Sequence, residues 1–156
     1  MMAVEIEFKY LVKEEAWNEN LAYQSIMIRQ GYLQTDPEKT VRVRTRGNQG
    51  YLTIKGKAEG ASRLEFEYEI PVDEANELLE RFCSNLVDKT RYLVNHEGKT
   101  WEVDVFSGPN EGLMVAEIEL AAADETYALP FWAGEDVTHD HRYANSSLAH
   151  QPFSTW

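Results

Sequence analysis

The chain has 156 residues, 43% of them hydrophobic and 27% charged, a balance that suits one domain, residues 1–156, with a proper core. Its formal net charge of -12 argues against duplex nucleic acid or an anionic membrane as partner. One cysteine, Cys83, rules out an internal disulfide; with no signal-peptide pattern and no apolar run of membrane-spanning length, a cytoplasmic protein is the expectation.

The stretch AVEIEFKYLV, residues 3–12, alternates strictly: Val4, Ile6, Phe8 and Tyr10 against Glu5, Glu7 and Lys9. That period is a strand signal. The following KEEAWNENLAYQSIMI reads as a helix, and QGYLQT as a strand stopped at Asp36-Pro37. TVRVRTR, YLTIKGK and RLEFEYEIP alternate again, the first two joined by a turn predicted at NQG (48–50). VDEANELLERFCSNL has apolar residues at helical spacing, with Asp73 as the expected N-cap and Cys83 as a core residue. DKTRYLV, TWEVDVF and LMVAEIEL are further strands, with a turn at NHEGK. The remainder predicts a short helix near ADETYA, an elbow at Pro130-Phe131-Trp132 and a terminal helix around RYANSSLAH.

The charged faces of these strands carry as many acids as bases, so the excess acid lies elsewhere in the chain. The bland reading is a solvated sheet face with ion pairs of small individual value. Against it, like charges cluster two apart: Arg42/Arg44/Arg46, Lys55/Lys57 and Lys89/Arg91, then Glu65/Glu67 and Glu117/Glu119. Such neighbours repel, and a bound polyanion with metal ions would reward the grouping, because Arg and Lys grip phosphate oxygens and paired carboxylates hold Mg²⁺ or Mn²⁺. The fold that collects these faces is α+β: an antiparallel barrel with a charged lumen, its outward apolar faces covered by a few helices.

Glu5-Ile6-Glu7-Phe8-Lys9 resembles the ExExK signature of the CYTH, or triphosphate tunnel metalloenzyme, family. TVRVR, YLTIKGK, SRLEFEYEIP, DKTRY, WEVDVFSG and VAEIEL are similar to its later strands, in order, and EDVTHDHRYANSSLA to its C-terminal segment, with Arg142, Tyr143 and Asn145 in matching places. The resemblance runs from about residue 3 to residue 149 and implies a closed eight-stranded tunnel that binds triphosphate with a divalent metal, Mg or Mn. It further implies Lys9, Arg42, Arg44, Lys55, Arg63, Lys89 and Arg91 as substrate-binding residues. Glu5, Glu7, Glu65, Glu67, Asp104, Glu117 and Glu119 follow as metal ligands, and Tyr32, Lys9 and Lys55 as catalytic residues. Tyr32, in QGYL, stands where such relatives have a proposed proton acceptor. The expected reaction is hydrolysis of inorganic tripolyphosphate to diphosphate and orthophosphate; a homodimer is compatible with the resemblance. Rivals are a thiamine triphosphatase, an adenylate cyclase, for which inspection finds no adenine site, and a non-enzymatic triphosphate sensor, which has no use for so many carboxylates.

Other motifs carry less. EGKT (97–100) lacks the upstream glycine of a phosphate loop, since Leu93 stands there. His139 and His141 read as surface residues, Ser146 and Ser147 lack a nucleophile context, and Trp17 and Trp132 read as packing residues.

Overall fold

The computed structural model describes residues 4–156. Nine strands follow in chain order: β1 Val4–Val12, β2 Gln24–Gln34, β3 Lys39–Arg46, β4 Gln49–Gly56, β5 Ser62–Ile70, β6 Leu86–His96, β7 Lys99–Ser107, β8 Met114–Glu119 and β9 Ala133–Asp136. Helix α1, Val72–Phe82, joins β5 to β6, and α2, Asn145–His150, lies near the C-terminus. Hydrogen-bonded neighbours run β5-β4-β3-β2-β6-β7-β8-β1, and β1 pairs again with β5. That last pairing, Val4 with Leu64 and Glu5 with Arg63, closes an eight-stranded antiparallel barrel. β9 adds to the other half of β1.

The alternation sorts side chains between the two faces of this wall. Outside, α1 lays Ala75 and Leu79 against Val43, with Cys83 and Leu52 in the same cluster. A second outer cluster gathers Tyr10, Val94, Trp101, Val103 and Ile118 under Trp17, Tyr127 and Trp132. Trp132 stacks edge-on to Trp101 at 5.7 Å and to Trp17 at 5.5 Å. Inside, one end is apolar: Val87, Phe106 and Val115 join Tyr143 and Leu148 of the C-terminal segment. So α2 packs with inward-facing residues and does not cover the outside. The expected helical cover is supplied largely by α1 and irregular segments, and the outer side of β5 stays bare, with Phe66 45% exposed.

Other expectations are corrected too. Residues 14–21 form two single 3-10 turns, not a helix; the Asn18 side chain accepts from the Asn20 N–H at 2.8 Å, which competes with helical hydrogen bonding. β2 then begins at Gln24, six residues before QGYL. No helix forms near ADETYA, where the Glu125 carboxylate instead accepts from the Ala121 N–H. Asp73 sits in the first turn of α1, and Pro71 occupies the cap. The β3–β4 turn falls at residues 47–48, with Gly47 at φ 60, as a two-residue hairpin with glycine first requires. His139 and His141 are exposed, and His139 precedes the 3-10 turn His141–Tyr143. Among the described residues no helix is long and apolar enough to cross a membrane.

Candidate active site

A cavity of about 180 Å³ lies in the barrel interior. It is lined by Lys9, Arg42, Arg44, Lys55, Arg63, Lys89 and Arg91, by Glu5, Glu7, Glu65, Glu67, Glu117 and Glu119, and by Tyr32. Strand register brings them together. β1 sets Lys9 opposite Glu117 and Glu7 opposite Glu119. β4 sets Lys55 opposite Glu65 and Thr53 opposite Glu67, while β3 sets Arg42 opposite Tyr32 of β2. Directly opposed residues share a face, so charge at alternate positions of neighbouring strands accumulates on one surface.

Thr40, Glu102, Asn145 and Ser146 also line the cavity. None of them was assigned a site role from sequence, although Asn145 matches the C-terminal segment of the CYTH resemblance. Glu102 shares the strand parity of Asp104 and could have been found that way; the three neutral residues carry no charge pattern to betray them. Asp104 itself does not line the cavity. It is fully buried, accepting from Lys89 Nζ at 2.7 Å and from Arg91 Nε and Nη2 at 2.8 and 2.9 Å. Lys89 also donates to Asn145 Oδ1 at 3.1 Å, which ties α2 to the wall.

The remaining ions pair more loosely. Lys55 donates to Glu5 at 3.0 Å and lies 3.5 Å from Glu65. Lys9 is 3.7 Å from Glu7 and 4.0 Å from Glu117. Glu67 accepts from Thr53 at 2.8 Å, from Arg44 at 3.3 Å and from Arg42 at 3.4 Å.

Burial and crowding perturb these groups in opposite senses. Burial lowers Lys89 to about 8, with Asp104 offsetting only part of the loss. Burial, then the guanidinium groups of Arg42 and Arg91, lowers Arg44 to about 10. Burial raises Glu5, Glu102, Glu117 and Glu119, and neighbouring carboxylates add to it: Glu65 beside Glu5, Glu7 beside Glu117, Glu5 and Glu7 beside Glu119. Asp104 goes the other way: burial would raise it, but Arg91 and Lys89 hold it well below the usual carboxylate range. Glu67 is also lowered, because Arg44, Thr53 and Arg42 outweigh its burial. Lys9 is raised, as Glu7, Glu117 and Glu5 together overcome burial. Arg44 and Lys89 are thus cations short of anions, and Glu5, Glu102, Glu117 and Glu119 are carboxylates short of cations.

Among the described residues no three His, Cys, Asp or Glu side chains stand close enough to form a ready-made metal site. The donor chemistry nevertheless fits a divalent cation. Glu65 Oε2 is buried with no hydrogen-bond partner, its contact with Lys55 being an ion-pair distance only. The crowded carboxylates of Glu5, Glu117 and Glu119 offer hard oxygen ligands.

The CYTH domain profile matches residues 3–151. An inorganic triphosphatase of Acetivibrio thermocellus is 49% identical over 156 residues, 99% of each chain. One of Nitrosomonas europaea is 37% identical over 149 residues, covering 93% of this chain and 96% of its own. A crystal structure of an inorganic triphosphatase, 34% identical, superposes with a TM-score of 0.66 over 93% of each chain.

Proposed function

The chain belongs to the CYTH domain family, and we propose from that premise how it acts as an inorganic triphosphatase, a hydrolase of a phosphoric anhydride. The observation that carries the reading is convergence: Lys9, Arg42, Arg44, Lys55, Arg63, Lys89 and Arg91, and every acidic candidate except Asp104, line one cavity, while Arg46 and Lys57 lie outside it.

Tripolyphosphate carries several negative charges at neutral pH, and phosphoryl transfer depends mainly on positioning and charge neutralisation. Arg42, Arg44, Arg63, Lys89 and Arg91 bind the phosphate oxygens. Asp104 holds Lys89 and Arg91 in place from behind. Lys9 and Lys55 stand among the carboxylates, Lys9 near Glu7 and Glu117 and Lys55 near Glu5 and Glu65. There they steady charge on the reacting phosphoryl group and on the departing diphosphate. Tyr32, the one tyrosine of the lining, presents a phenolic hydroxyl to the same oxygens. A divalent cation, Mg or Mn, held by Glu5, Glu7, Glu117 and Glu119 with Glu65 and Glu67 as further donors, would supply Lewis-acid neutralisation of the phosphates. Water attacks the terminal phosphorus, the bridging P–O bond breaks, and orthophosphate and diphosphate leave. The lone thiol Cys83 and the acidic chain suit a cytoplasmic setting.

The test is product analysis after incubation with tripolyphosphate, ATP and thiamine triphosphate, each with Mg²⁺ or Mn²⁺. Orthophosphate released chiefly from tripolyphosphate supports the reading. Cyclic AMP from ATP, preferential hydrolysis of thiamine triphosphate, or no turnover would overturn it.

A further inference from the structure

Gln30 is a neutral amide in a wall of ions. It is 0% exposed, and its Oε1 has no hydrogen-bond partner. Its Nε2 donates to the Tyr32 hydroxyl at 2.9 Å. The two side chains leave the same face of β2, two residues apart, and Tyr32 lines the cavity while Gln30 stands behind it. The backbone between them is packed closely on its other face: a Cβ on Gly31 would meet Cys83 Cβ at 2.7 Å and Leu86 Cδ2 at 2.8 Å.

The surroundings decide which end of the amide faces the phenol. Across β3, Gln30 stands opposite Arg44 and Tyr32 opposite Arg42; across β6, Gln30 stands opposite the apolar Val87. A guanidinium on one side can only donate and an apolar side chain on the other offers nothing, so this setting suits the amide oxygen and leaves the amide N–H for Tyr32. A hydroxyl that accepts from an N–H cannot spend its own proton on that partner. The Tyr32 proton is therefore left for the cavity, where the oxygens of a bound anion are the acceptors.

We infer that Gln30 is a positioning residue: it fixes the Tyr32 hydroxyl as a hydrogen-bond donor to the bound triphosphate, the reverse of the proton-acceptor role implied by the family resemblance. This rests on the triphosphatase reading above. No proton changes hands. The O–H···O–P bond strengthens as negative charge gathers on the phosphate oxygen, so it favours the transition state over the ground state.

The experiment compares Gln30→Leu, Gln30→Glu, Tyr32→Phe and the Gln30→Leu/Tyr32→Phe double variant with the wild type. It measures kcat and KM for tripolyphosphate with Mg²⁺, and the thermal midpoint. Loss of one hydrogen bond predicts kcat lower by about 3- to 10-fold in Tyr32→Phe and in Gln30→Leu, with KM within about twofold. The double variant should be no slower than Tyr32→Phe, because Gln30 acts through that hydroxyl. Gln30→Glu keeps the shape of the side chain; opposite the Arg44 guanidinium it is favoured as the carboxylate, which only accepts, so it recaptures the hydroxyl proton and should be as slow as Gln30→Leu. It carries the same test if Gln30→Leu folds poorly. Losses that multiply in the double variant, wild-type kcat in Gln30→Glu, or wild-type kcat in Tyr32→Phe would each overturn the inference while leaving triphosphatase activity intact. A wild type inert toward tripolyphosphate would overturn the functional reading and this inference with it.

Discussion

Asp104→Ala should destabilise the empty protein, whereas a carboxylate reserved for metal should be dispensable to the fold. Asp104 is 0% exposed, and the cations it serves, Lys89 and Arg91, are 4% and 6% exposed. Removing one partner from a buried ion network typically costs about 3–5 kcal/mol, since the other charges are left uncompensated. Two features place this case at the low end. Lys89, already lowered to about 8 by burial, can shed its proton, and Arg91 keeps Glu102 at 3.2 Å and Glu117 at 3.7 Å. A loss of about 3 kcal/mol in a domain of this size lowers the midpoint by roughly 6–12 °C. The assay is thermal unfolding near neutral pH in EDTA, so that no metal contributes. Glu117→Gln is the comparison. Burial and Glu7 already disfavour the charged form of Glu117, so its midpoint should hold or rise while activity falls. An unchanged or raised midpoint for Asp104→Ala in EDTA would refute the counter-ion role and return Asp104 to the metal ligands.

Arg42→Ala removes a charge-assisted contact to phosphate, worth about 1.5–3 kcal/mol, so kcat/KM should fall roughly tenfold to a few hundredfold. Its midpoint should hold or rise, because Arg44 loses a repelling neighbour and Glu67 keeps Arg44; unchanged hydrolysis would return these strands to a merely solvated face. Stability should also depend on pH through Glu5, Glu117 and Glu119, whose folded values are raised. Their contribution is full below the unfolded carboxylate value and is lost as pH rises through the folded values, while Asp104 and Glu67, held low, titrate beneath that window. In EDTA the midpoint should therefore fall as pH rises above the unfolded carboxylate value, with Mg²⁺ narrowing the fall; a midpoint that does not fall in EDTA would contradict the crowding of carboxylates.

Much of this was legible in the sequence because a two-residue period assigns every strand residue to a face. The alternation from Val4 to Tyr10, and in β3 to β5, already separates the cavity's ions from the outer apolar faces. Height along the barrel was not legible. Asp104 shares its parity with Glu102, but register sets Glu102 opposite Glu117 at the cavity and Asp104 opposite Val115, between two cations. No single strand reveals that. The start of β2 was hidden by helix-forming residues from Lys13 onward. β9 has only the residues Ala133–Asp136, too few to show a period, and its place follows from pairing with β1. The apolar inner end escaped notice because Val87, Phe106 and Val115 look like any outward-facing hydrophobic residue until the barrel closes.

Hydrolysis of tripolyphosphate in this cavity is proposed to need a divalent cation held by its carboxylates. Phosphorus NMR of tripolyphosphate incubated with EDTA-stripped protein, before and after Mg²⁺ or Mn²⁺ is added in excess, tests it most directly. An unchanged spectrum is expected first, and then equal amounts of orthophosphate and diphosphate. Full turnover in EDTA, or intact tripolyphosphate after metal is restored, would contradict it.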